Sequence, residues 1–318
     1  MPWLLLRSAV CVLVALMMVI GGCRSNLPET KPSSPEREIR DSQGVVLKLV
    51  QKPQRIVSLS IGTDEILMDL VPAERIAALT YLSEDGGISN ISDRAKQIPH
   101  KIKANAEGIL ALQPGLVIIP DWQPVELIDI LRSAGINVYV YKSPDTIEEI
   151  IRVIGEIAAA VGEESTGAAM VNQMNSELKE IADKLQSVSK EQQPVVMRYG
   201  LLGGTGGIGS TFDDICRYAK VKNAAALGGL DKSGNLAKEQ VVKLNPDIIL
   251  LPTWDYTGKT NLQHFQEDLE KDPALQPVSA IRQRRLVAVP DRYLYCTSQY
   301  IVQGVRAVAA AAYPQLLQ

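Results

Sequence analysis

Aromatic side chains are scarce in this sequence, 5% of 318 residues, with two Phe and three Trp. A core with so few rings must rest on Ile, Val, Leu and Ala, so each Trp in a folded region needs a stated reason. Histidine is rarer still: His100 and His264 fall in different halves. No H-E-x-x-H, C-x-x-C or G-x-S-x-G occurs, which removes the usual zinc, redox and serine-hydrolase signatures. A metal role for either His would have to come through a bound haem; a surface position is the plainer reading. Basic runs are also missing. With 33 Lys and Arg against 36 Asp and Glu, net −3, the chain lacks the clustered cations that phosphate contacts need, so nucleic acid is not a partner. Finally, no apolar run is long enough to cross a membrane. The longest, Ala9 to Ile20, has 12 residues, where a ~30 Å hydrocarbon core takes ~20.

That run instead has the form of a secretory signal. Arg7 precedes it, and it ends Ile20-Gly21-Gly22-Cys23, similar to the lipobox at which bacterial lipoproteins are cleaved and their Cys is lipidated. Residues 1–22 are therefore expected to be a signal peptide, with Cys23 the lipidation site. Residues 23–44, rich in Pro, Ser, Glu and Arg, are expected to form a flexible tether. Cys216 and Cys296 remain for the folded part. An oxidising compartment would allow them to pair, but two buried free thiols are the favoured expectation.

The chain also repeats itself. Glu107-Gly-Ile-Leu-Ala-Leu-Gln-Pro-Gly-Leu-Val-Ile-Ile-Pro-Asp-Trp122 aligns without gaps on Glu239-Gln-Val-Val-Lys-Leu-Asn-Pro-Asp-Ile-Ile-Leu-Leu-Pro-Thr-Trp254, at a constant offset of 132 residues. Each copy predicts a short helix, a Pro breaker, a buried strand and a second Pro. A period of domain size points to two similar lobes.

Around both copies, continuous apolar strands alternate with helices, the pattern of parallel sheets covered on both faces. Strands are predicted at Arg55–Ser60, Arg75–Thr80, Leu116–Ile119 and Val138–Tyr141. In the second half they fall at Val195–Leu202, Ile248–Leu251 and Leu286–Val289. Val46–Val50, after the turn residues Asp41 to Gly44, reads as a hairpin arm. Residues 145–188 carry no strand pattern. A helix over Thr146–Val161 is broken by Gly162, and a second, from Glu164 to about Ser187, bears the stripe Met170, Met174, Leu178, Ile181 and Leu185. The expected organisation is an N-terminal α/β lobe over 45–144, a helical linker over 145–188 and a C-terminal α/β lobe over 189–318. One long helical strut would join the lobes and permit little hinge motion.

With these elements in view, Arg55-Ile-Val-Ser-Leu-Ser, Thr63-Asp-Glu-Ile-Leu and the two repeat motifs resemble the Fe/B12-type periplasmic binding domain of ABC importers. The resemblance implies a ligand cleft between the lobes. The cargo would be a metal chelate: ferric siderophore, cobalamin or haem. The partners would be the permease subunits with their ATPase, together with a membrane reached through the N-terminal lipid. It also implies a monomer outside the cytoplasm, no catalytic residue, and no resident cofactor or metal site. Glu107 and Glu239 would dock onto Arg residues of the permease, one per lobe. Each would equally serve as a helix N-terminal carboxylate, worth ~0.3–1 kcal/mol against the macrodipole. Glu65 is the second choice for docking in the first lobe.

Ligands of open α/β sheets sit beyond the C-terminal ends of the strands. Trp122 and Trp254 follow such ends and are candidates for stacking on a flat ligand, unless they wedge into their own lobes. Tyr81, Tyr293 and Tyr295 fall at further strand ends, and the family often carries an aromatic at the position of Tyr81. Arg198, Tyr199 and Arg292 could meet a carboxylate on the ligand. Gly204-Thr-Gly206-Gly-Ile-Gly209 matches G-x-G-x-x-G, which keeps open an enzyme on a nucleotide-binding or chelatase-like two-lobe scaffold. Ser210 and Asp213 form a capping box just after it, and no ribose-binding acid closes the next strand. The glycines are therefore expected to form a cleft loop.

Overall fold

The computed structural model describes residues 37–317; the signal, Cys23 and most of the tether lie outside them. The described chain begins with a hairpin. Strand β1 (Arg37–Arg40) pairs antiparallel with β2 (Val46–Leu49), Arg37 opposite Leu49. This corrects the tether boundary, because residues 37–40 are already strand. Asp41 makes the turn by accepting from the backbone N–H of Gln43 and Val45, and its other oxygen pairs with Arg132 at 2.6 Å, fastening the hairpin to the first lobe.

The first lobe holds strands β3 (Ile56–Ser58), β4 (Ile76–Thr80), β5 (Lys101–Ile102), β6 (Leu116–Pro120) and β7 (Val138–Tyr141). They form one parallel sheet in the order β5-β4-β3-β6-β7. Counting helices of six residues or more, α1 (Ile61–Leu70), α2 (Ala106–Ala111) and α3 (Val125–Ser133) supply crossovers. The second lobe has β8 (Val195–Gly200), β9 (Gly203–Thr205), β10 (Lys222–Asn223), β11 (Ile248–Leu251) and β12 (Leu286–Ala288). Its parallel order is β10-β8-β11-β12, with β9 antiparallel on β8.

Between the lobes run α4 (Ile147–Val161) and α5 (Glu164–Lys184). Thr146 caps the first by accepting from Glu149 N, and Gly162, at φ 77°, ends it in the left-handed conformation that glycine adopts without strain. The strut is thus the second member of a packed helical pair. Gly167 of α5 lets the two helices close up, since a Cβ there would stand 2.4 Å from the Cβ of Ala158. At 1.5 Å per residue α5 spans about 31 Å. In the second lobe, α6 (Thr211–Tyr218), α7 (Lys238–Leu244), α8 (Leu262–Lys271) and α9 (Ile301–Ala312) complete the set.

Because successive strand residues face opposite sides, each sheet feeds two cores. Val57, Val117, Val140 and Leu131 fill the outer face of the first lobe, and Met197, Ile249, Val241 and Leu275 that of the second. The inner faces share one core: Ile56 and Ile118 from one sheet, Val196 and Leu250 from the other, joined through Ile154, Met174, Ile181 and Val305. The two lobes are therefore braced by common apolar packing. Among the described residues, no helix is long and apolar enough to cross a membrane.

Candidate functional site

The 132-residue repeat appears as two corresponding helix–turn–strand segments. Helix α2 leads into β6 and α7 into β11. The breaking residues Gln113 and Asn245, each before a Pro, share a left-handed φ of 46°. Glu107 and Glu239 are each the second residue of their helix and are exposed. Neither has an ion pair among the described residues.

The C-terminal ends of the strands open on a cavity of about 470 Å³. Trp122 beyond β6, Tyr81 after β4, and Trp254 and Tyr295 from the second lobe line it, with Leu59, Leu82, Ile88 and Ile102 as apolar floor. This volume lies in the range of ~300–1,000 Å³ usual for small-molecule sites. Lys103 stands over the Tyr81 ring at 5.2 Å from its centroid, and the Tyr141 hydroxyl joins Ser60 and Thr63 at the wall.

The two repeat-equivalent Trp residues differ. Trp122 is 64% exposed. Trp254 is half-buried, and its Nε1–H donates to Asp85 Oδ2 of the first lobe at 2.9 Å. Its own backbone N–H donates to the buried carboxylate of Asp291, also at 2.9 Å. Neither Trp is a wedge in its lobe's own core.

Beside the cavity a narrow recess of about 50 Å³, lined by Arg198, Pro252, Trp254, Tyr256 and Tyr295, runs into the second lobe. The Arg198 guanidinium lies 4.3 Å from the Tyr295 centroid and 5.4 Å from that of Phe212, with Nε donating to Thr205 Oγ1 at 3.0 Å. Tyr199, its neighbour on β8, also edges this recess but is buried. At 5% exposure, with Phe265 beside it, it belongs to the outer core, because adjacent strand residues alternate. Arg292 and Tyr293 line neither space. The Arg292 Nη1–H donates to Gly86 O across the lobe seam, and its guanidinium lies 5.2 Å from the Tyr293 ring centroid.

Glu65 is displaced furthest from its expected place. It is 1% exposed, accepting from Asn90 N at 2.8 Å, Asn90 Nδ2 at 2.9 Å, Cys296 Sγ at 3.5 Å and the Ser298 hydroxyl. Burial pushes its pKa up, the hydrogen bonds opposing. A carboxylate locked in the seam cannot meet a partner protein, so it is no docking residue, and its helix is capped by Ser60 instead. Cys216 and Cys296 are buried free thiols.

The glycine run serves packing. Gly204 sits on β9 against Leu236, and a Cβ on Gly207 would stand 2.1 Å from the Leu230 carbonyl oxygen. None of its glycines lines the cavity, which corrects the cleft-loop expectation. Ser210 caps α6 by accepting from Asp213 N, as the capping pattern implies. Sequence reasoning missed Asp85, Lys103, Tyr141 and Tyr256; only Tyr256, two residues beyond Trp254 with ring centroids 6.3 Å apart, carried a local signal.

Two facing α/β lobes on a shared helical back, with an aromatic cavity between them, have the build of a substrate-binding protein. The model of the family described as periplasmic binding protein matches residues 56–293, and the chain belongs to that family. It is 25% identical to an uncharacterized ABC transporter substrate-binding lipoprotein, YvrC, of Bacillus subtilis, over 96% of both chains. It is 22% identical to a cobalamin-binding protein of Halobacterium salinarum, over 96% of this chain and 84% of that one. Among solved structures it is similar to the periplasmic heme-binding protein RhuT from Roseiflexus sp. RS-1, with a TM-score of 0.70 and 26% identity, over 83% of this chain and 99% of that one.

Proposed function

We propose that this protein is the substrate-binding component of an ABC importer and that it captures a metal chelate in the interlobe cavity. The observation that carries the reading is the ring of Tyr81, Trp122, Trp254 and Tyr295 around a cavity of ligand size. Rings offer large apolar faces at small entropic cost and suit a flat macrocycle or an aromatic chelate. Arg198, half-buried beside the rings, suits an anionic group on such a ligand. Haem, a corrinoid and a ferric siderophore all answer this description. The chelate is cargo, and no bond is made or broken on it. The test is to mix the protein with haemin, cyanocobalamin and a ferric siderophore in turn, following absorption and Trp fluorescence. A Soret shift selects haem, and quenching without one selects the others. No binding of any of the three overturns the chelate reading.

Membership of the family implies an extracytoplasmic location. The finer placement, a lipid anchor at Cys23, is supported by the lipobox and by the lipoprotein among the relatives. Cys23→Ala is expected to release the protein from membranes or leave it as precursor, since the acyl chains are lost. Sedimentation with membranes after a high-salt wash would refute the anchor.

Glu107 and Glu239, exposed at equivalent helix starts, are proposed as the two contacts with the permease. Two such points suit a partner of near-twofold symmetry offering one Arg to each. Glu107→Lys and Glu239→Lys should each lower uptake, and the double variant should lower it further, with ligand affinity unchanged. Normal uptake in cells carrying the double variant would end the docking role and leave a dipole contribution of ~0.3–1 kcal/mol.

A further inference from the structure

The two Trp residues hold equivalent places in the repeat, yet their indoles are treated differently. Trp122 is mostly exposed and makes no hydrogen bond through its ring among the described residues. Trp254 is held at both ends. Its backbone is fixed within the second lobe by Asp291, which accepts from both Thr253 N at 2.7 Å and Trp254 N at 2.9 Å. Its ring edge is fixed by the first lobe, where Asp85 Oδ2 accepts the indole N–H at 2.9 Å.

The loop that makes this contact is shaped for it. Asp85 Oδ1 accepts from Gly87 N at 2.9 Å, which folds the loop back under the ring. Gly87 has no side chain where one would collide, since a Cβ there would stand 2.2 Å from Trp254 Cδ1 and 2.9 Å from Cγ. Two further bonds tie the same loop to the second lobe: Arg292 Nη1–H to Gly86 O and Asn90 Nδ2–H to Arg292 O, both 2.9 Å. Asp85 has no ion-pair partner among the described residues, and there the indole N–H is its one hydrogen bond outside its own loop. Lys101 is close by in the sequence of the lobe, yet it pairs with the neighbouring Glu84 at 2.7 Å instead.

We propose that Asp85 and Gly87 of the first lobe are positioning residues that hold Trp254 of the second lobe as a fixed wall of the cleft, leaving Trp122 as the ring that adjusts to the ligand. The inference rests on the cavity being the binding site, but its central claim concerns the ligand-free protein. Selectivity for the shape of the ligand then depends on a wall to which both lobes contribute. An indole free to swing would admit a broader set of ligands, each bound less tightly, because the ring's order would have to be established at binding.

The test uses the full chain in a Trp3→Phe, Trp122→Phe background, so that Trp254 is the sole indole of the sequence. Asp85→Ala removes the acceptor and Gly87→Ala displaces the ring by collision, so two unrelated changes probe one seat. Both should shift Trp254 emission to the red and raise its quenching by acrylamide, while Glu84→Ala on the same loop should change neither. Unshifted emission in both Asp85→Ala and Gly87→Ala overturns the proposal, whatever the ligand is.

A second arm uses haemin and cyanocobalamin as probes in the native-Trp chain. Asp85→Ala should weaken the probe that binds about 3- to 10-fold, the worth of one hydrogen bond. In a Trp254→Phe chain, which keeps a ring but has no N–H, the same Asp85 substitution should cost nothing further. Equal loss in both chains would show that Asp85 acts on the loop alone and would also overturn the proposal. If neither probe binds while the emission shifts stand, haem and cobalamin are excluded as cargo and the seat of Trp254 remains established.

Discussion

Asp64 and Glu65 lie side by side on α1 with almost no solvent contact. Burial pushes the Asp64 carboxyl up to about 8, against hydrogen bonds from Ser58 and Thr80 that favour its charged form. Glu65 moves the same way. Each group binds its proton more tightly in the fold than in the unfolded chain. Their stabilisation is therefore complete below the ordinary carboxylate range and is lost as pH rises through the folded values, near 8 for Asp64. The melting temperature followed by circular dichroism should fall as pH is raised across that window, and Asp64→Asn should flatten the decline. An Asn variant with an unchanged slope would place the pH dependence elsewhere. The cleft rings allow a second comparison. Trp122→Ala should weaken ligand binding by about 1–3 kcal/mol with little change in Tm. Tyr199→Ala should do the reverse, costing about 3–5 kcal/mol of stability with affinity nearly intact, since that ring fills the outer core. At this scale the sequence was half legible. Trp122 and Trp254 reveal themselves through the repeat. Glu65 does not, because a carboxylate reads as surface until Asn90, Cys296 and Ser298 arrive from 25 to 233 residues away to bond it.

Among the elements, those with a strong period were legible. The stripe on α5 is buried as read, with Met174, Leu178, Ile181 and Leu185 all in the shared core and Met170 against its edge. Leu178→Ala should cost about 2–5 kcal/mol in denaturant unfolding, through a cavity between helices rather than any effect on the cleft. A cost under about 1 kcal/mol would mean the pair repacks around the gap. The prolines at 114 and 246 marked the two equivalent turns, and the left-handed residues before them confirm the correspondence. Strand β1 was hidden because Arg-Glu-Ile-Arg offers one apolar residue and lies at the end of a polar segment. It forms because β2 and the Asp41 turn supply what its composition lacks. The glycine run was misplaced for a related reason: glycine marks close approach without saying to what, and here the neighbour is the 230–236 segment.

Across the whole molecule, the two lobes and the helical strut between them were legible, and the core they share was not. Sequence periodicity shows which strand faces are apolar but not that the inner faces of both sheets close on the same helices. That union predicts rigidity: spin labels on the exposed helix starts at 107 and 239 should report nearly the same separation with and without ligand. A shift comparable to a domain closure would show that the helical back bends. The shared core also bears on how the chain completes its fold. Val302, Val305 and Val308 of α9 belong to the core that the two sheets share. A chain still lacking α9 therefore has no complete shared core to close upon. The two lobes are thereby made dependent on one C-terminal segment, so loss of α9 should unfold both together rather than the second alone.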